Sequence, residues 1–160
     1  MKLGLIIEEL HRSETDLADE LMHLSDRHRT DHEIFHVGRD LAGWSCEHVG
    51  ELARAGCQFG LHLDDEVDEG SGVLSSLRQK SADLLGRHHD AGLVLLADLR
   101  RGYRKASGVS LDWEILAQTA QAAKDRDLLA MAERCHPQTL RQARWLNAML
   151  KESSAQILAV

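Results

Sequence analysis

Between Leu3 and Leu24 the positions Leu3, Ile7, Leu10, Glu14, Leu17, Leu21 and Leu24 recur at alternating spacings of four and three. All but Glu14 are apolar, so residues 3 to 28 form one continuous helix face that must be buried against something else. The break at Arg29-Thr30-Asp31 offers Thr30 or Asp31 as N-cap, with Glu33 placed to complete a Thr30-x-x-Glu33 capping box. A second helix then runs to about Gln58, its apolar side built from Ile34, Val37, Leu41, Trp44, Leu52 and Ala55. Two long amphipathic helices joined by so short a turn should pack antiparallel, giving a first hairpin over 3–58.

The rest of the chain repeats this logic. Residues 59–72 lose the period and become strongly acidic, which marks a crossover loop. Helical pattern resumes at Val73 and is interrupted at 86–90, where Gly86 can end a helix and Asp90 can cap the next. The predicted short helices are 73–86 and 91–106. Gly108 and Ser110 then signal a further stop and start, opening a helix at Leu111 that carries Trp113, Leu116, Ala117 and Ala120. A last long helix follows Lys124-Asp125-Arg126-Asp127, with Pro137 inside it at a cost of up to ~3 kcal/mol unless the helix bends or restarts. The second helical half spans 73–152. No strand pattern, internal repeat or low-complexity tract is visible, so 1–160 reads as a single all-α domain, and a chain of this length buries roughly 70% of its unfolded surface.

Composition excludes some functions. With 19 basic and 26 acidic residues, and a net charge of -7, the chain lacks the cationic excess that sequence-independent nucleic-acid binding requires. The apolar run Leu3 to Ile7 is too short for a membrane span or a signal-peptide core, so a membrane partner is not expected. Cys46, Cys57 and Cys135 are odd in number and have no CxxC spacing, which fits a reducing cytoplasm better than a disulfide framework. Cys46 and Cys135 fall on or beside apolar faces, as buried inert thiols do.

Ten histidines are the one compositional hint of chemistry. Two Glu-x-x-His motifs, Glu33 to His36 and Glu133 to His136, each set a carboxylate and an imidazole on one helix face. A helical chain with two such motifs and a long connection after its second helix resembles the ferritin-like superfamily. That resemblance implies an antiparallel four-helix-type bundle with extra short helices, and iron held by inward Glu and His residues. It also implies oxidation chemistry on O₂ or peroxide at an open iron position, although no motif assigns a reaction.

Helical phase decides which residues can serve. Glu33 and His36 fall with Asp40, Glu47 and Arg54 on the polar side of the second helix, as does His32, so a hemerythrin-like His32/His36 pair is the weaker reading. His136 sits on the shoulder of its apolar face and Glu133 at its border, which places that motif partly inward. Between 90 and 124 there is no obvious inward carboxylate, since Asp98 flanks its apolar stripe and Glu114 lacks a facing argument. Glu14, by contrast, lies at the centre of a leucine face, where an unpaired carboxylate is costly. A simple antiparallel register sets residue 14 level with about residue 46, so the apolar-facing His48 is its natural partner. His11, one turn before Glu14, shares the same shoulder, and His28 faces inward toward the start of the second helix.

The candidate metal ligands are therefore Glu14, His11, His48, His136 and Glu133, with iron favoured over zinc. The competing reading gives the same cluster no metal: a buried Glu–His pair that fixes helix register in a non-catalytic protein acting through protein contacts or self-association as a homo-oligomer. Trp145, off the main apolar face, is a contact residue in that reading. His23 reads as a surface residue on its helix, and His62, His88 and His89 as connection residues. The acidic stretch 64–70 lacks the Gly and the final Glu of an EF-hand loop.

Overall fold

A computed structural model of the chain describes residues 2–68 and 90–159. Among these residues the structure is all-helical, with four long helices and no strand. Helix α1 spans Leu3–Arg27 and buries Leu3, Ile7, Leu10, Leu17, Leu21 and Leu24 together with Glu14, the face set by the four-three spacing. Helix α2 spans His32–Gly56 and begins at Asp31, whose side chain accepts from the Ile34 N–H at 3.1 Å. Asp31 therefore caps, and the Thr30/Glu33 box is not formed; the Glu33 carboxylate instead accepts from the Trp145 indole at 3.3 Å.

After α2, one turn of 3₁₀ helix over Cys57–Phe59 ends at Gly60, whose φ of 74° is open to glycine without strain. Residues 61–68 are irregular, as the loss of period predicts, and Leu61 and Leu63 pack back on the core beside Gly56. The helix expected over 73–86 and the histidines at 88 and 89 lie outside the described residues.

Helix α3 spans Ala91–Ala123, with Asp90 capping the Gly92 N–H at 2.7 Å. The break expected at 106–110 is absent: one helix of 33 residues runs through it. Gly108 inside a helix costs about 1 kcal/mol, whereas burying each of Val109 and Trp113 on the continuous inner face returns about 2 kcal/mol. Ser110 lies on the buried side and uses its hydroxyl sideways rather than as a cap. Lys124, in the left-handed conformation at φ 58°, closes α3, and Asp125 caps α4, which spans Arg126–Leu158. Pro137 sits within α4. Its ring and Glu133 are both exposed, so the carbonyl that loses its intrahelical donor meets solvent.

Helix α1 packs on α2 and α3, and α4 packs on α3 and α2. Between α1 and α2 Ser25 meets Gly38 and Glu14 meets His48, and beyond the end of α2 Gly4 meets Phe59 of the 3₁₀ turn. Between α3 and α4, Gly92 lies against Ile157, where an added Cβ would meet its side chain at 2.9 Å, and Gly102 lies under Leu146. No helix is long and apolar enough to cross a membrane among the described residues.

Candidate functional site

All four helices contribute to one buried polar layer. Helix α1 brings Glu14, α2 brings Ser45 and His48, α3 brings Trp113, and α4 brings Cys135, Thr139 and Gln142. Glu14 is 0% exposed and His48 1%. His48 Nδ1 lies 2.8 Å from Glu14 Oε1, in the register that the short α1–α2 turn predicts. Its other nitrogen, Nε2, lies 2.7 Å from Gln138 Oε1.

The same Glu14 oxygen also accepts from Trp113 Nε1 at 2.7 Å and, more weakly, from the Thr139 hydroxyl at 3.4 Å. The imidazole of His48 meets the Trp113 ring edge-on, with centroids 5.6 Å apart. One turn further along, Gln142 Nε2 donates to the Leu41 carbonyl and to Ser45 Oγ. Glu14 Oε2 and Gln142 Oε1 are buried with no hydrogen-bond partner among the described residues.

The electrostatics follow from this wiring. Burial alone would push His48 down, but hydrogen bonding to Cys135 and Glu14, reinforced by the Glu14 charge, holds it up at about 10. With Nδ1 facing Glu14 Oε1 and Nε2 facing Gln138 Oε1, the protonated ring has an oxygen acceptor at each nitrogen.

Such a layer does not fit iron or zinc as it stands. A ligating imidazole must present a lone pair, and both His48 nitrogens are committed to oxygen acceptors. Trp113 directs an N–H at Glu14 Oε1, which leaves Oε2 as the open oxygen of that carboxylate. Among the described residues no three His, Cys, Asp or Glu side chains converge in a way that could hold a metal ion.

Of the five residues singled out as ligands, the structure brings together Glu14 and His48. His11 is turned away: its Nε2 lies 2.7 Å from the Asp64 carbonyl, tying α1 to the returning loop. His136 is half-buried on another side of α4, 2.8 Å from Ser110 Oγ and 3.9 Å from Glu114 Oε1. Glu133 is exposed rather than partly inward, because it lies on the solvent side of α4 next to Arg134.

His28 does not reach the start of α2 but bonds Asp98 of α3 at 2.8 Å. Asp98, rather than flanking, is 1% exposed and is also gripped by Arg27 and Arg101. Arg101 and Lys105 in turn hold the buried Glu20. Asp98 is therefore held at about 2: burial would raise it, and the hydrogen bond from His28 with the charges of Arg27 and Arg101 outweighs that. His23 nearby is half-buried, not on the surface, and its pKa is lowered chiefly by desolvation.

Thr139 and Gln142 were within reach of sequence reasoning. They fall on the same stripe as Ala132, Cys135, Leu146 and Met149, so they are polar interruptions of an apolar face, as Glu14 is. Glu20 and Asp98 carry no such signal, since each lies at the edge of its stripe. Cys135 is buried and Cys46 half-buried, and His32, His36 and His62 are exposed, as phase and position predict. No family model matches the chain, and neither a curated protein nor a solved structure does.

Proposed function

We propose that this chain is an antiparallel, ferritin-like helical bundle whose central layer works without a metal, and that it acts through protein contacts rather than catalysis. The antiparallel arrangement is supported by contacts whose partners run in opposite order along α1 and along α2 with its following 3₁₀ turn, from Ser25/Gly38 through Glu14/His48 to Gly4/Phe59. The ferritin-like reading is supported by the origin of the polar residues. In di-iron bundles two helices give single Glu residues and two give a Glu-x-x-His pair. Here α1 and α3 give Glu14 and Trp113, while α2 and α4 give Ser45-x-x-His48 and Thr139-x-x-Gln142. On this reading the chain is a bundle of that layout with hydrogen-bonding groups in place of the ligands. Cys57 and Cys135 as free thiols suit a cytoplasmic setting.

The observation that carries this reading is the double engagement of His48, by Glu14 and by Gln138. Metal analysis of the untagged protein, followed by titration with Fe(II) and Zn(II), tests it. No stoichiometric metal is expected, and replacing Glu14 and His48 together by apolar residues of similar volume should preserve or raise stability. Stoichiometric iron or zinc that is lost in His48→Ala would overturn it. The metal-binding reading keeps one observation in its favour, the partnerless and buried Glu14 Oε2, and the same titration decides it.

A further inference from the structure

The outer face of α3 is apolar where the outer face of a bundle helix is usually polar. Leu93 is 46% exposed, Leu111 57% and Ile115 44%, half of the exposed large hydrophobic residues among those described. Leu111 and Ile115 are one turn apart, and Gly108 precedes Leu111 on the same face. Among the described residues nothing requires a glycine there, because a Cβ at position 108 would meet none of them within 4 Å. A helix-weakening residue with no internal reason suits close approach by a backbone from outside.

Charge along this face is polarised. Arg100 and Arg104 lie exposed on the N-terminal side of Gly108 with no carboxylate partner among the described residues. Glu114 lies on the C-terminal side, 59% exposed and 3.9 Å from His136. A helix that is positive before its midpoint and negative after it complements itself when reversed.

We propose that the occupant of this face is a second copy of the chain, its α3 laid antiparallel across the first with a two-fold axis at Gly108. Residues whose numbers average 108 then stand opposite one another. Glu114 of each copy falls between Arg100 and Arg104 of the other, and Leu111 enters the space left open between Arg104 and Gly108. The interface is isologous, so each contact occurs twice. This names the partner within the proposed function and rests on that reading, but a failed dimer would leave the metal test of the buried layer unaffected.

Sedimentation velocity of the full chain at micromolar concentrations tests the arrangement. A dimer is expected, with Leu111→Asp weakening it about a hundredfold. Glu114→Arg alone, or Arg100→Glu with Arg104→Glu, should each weaken it about tenfold. Combining all three charge reversals should restore it, an outcome that misfolding could not produce. A monomeric wild type, or a dimer indifferent to both Leu111→Asp and the charge reversals, would overturn the proposal.

Discussion

Glu14 occupies a position where the period of α1 calls for leucine, and its carboxylate meets polar groups from three other helices there. All three converge on one oxygen, Oε1, while Oε2 has no partner among the described residues. The carboxylate pairs with His48, and the raised pKa of that imidazole, owed despite burial to hydrogen bonding with Cys135 and with Glu14, sets a pH dependence. The folded His48 value of about 10 lies above the ordinary 6.5, so its contribution to stability is complete below pH 6.5 and is lost as pH rises through about 10. Denaturant unfolding of the wild type should weaken across that window. His48→Gln, lacking the titrating group, should show a flatter profile there than the wild type, and parallel profiles would refute the ion pair.

Helix pairs meet through different chemistry. The α1–α2 seam is hydrocarbon with one buried ion pair, whereas α1 meets α3 through the Asp98 and Glu20 clusters. Asp98→Asn removes a charge that serves Arg27, His28 and Arg101 together, and should cost about 3 kcal/mol in denaturant unfolding. The partial exposure of both arginines puts the effect at the lower end of the range for buried pairs. Because the folded Asp98 value is depressed to about 2, its contribution is present above pH 3.8 and disappears as pH falls through about 2. A substitution that left both stability and acid sensitivity unchanged would refute this role.

The limits of each element show what a sequence can specify. The caps at Asp31 and Asp90 and the face of α1 are local, and spacing alone reveals them. Gly108 and Ser110 read as a stop because propensity is local, yet the inner face on either side of them is continuous and burial decides the outcome. The contacts of His11 and His28 escape the helical pattern for a related reason. Their partners, a loop carbonyl at Asp64 and a carboxylate at the edge of α3, depend on chain paths that no period encodes. Glu14 and His48 were legible because each interrupts an apolar stripe and a short turn fixes their register.

At the scale of the whole molecule, the polar layer ties the four helices into one unit. Trp113 touches residues of α1 and α2 while packed in the core with α4, so its surroundings change when any of these helices departs. The indole is consequently a fluorescence probe for the integrity of the entire bundle. With Trp44 and Trp145 replaced by Phe, its emission and the far-ultraviolet helical signal should give superimposable denaturation curves, the mark of all-or-none unfolding. An emission change that precedes the loss of helix would instead mean that the helices part before they melt, and that the layer is the seam along which the molecule opens.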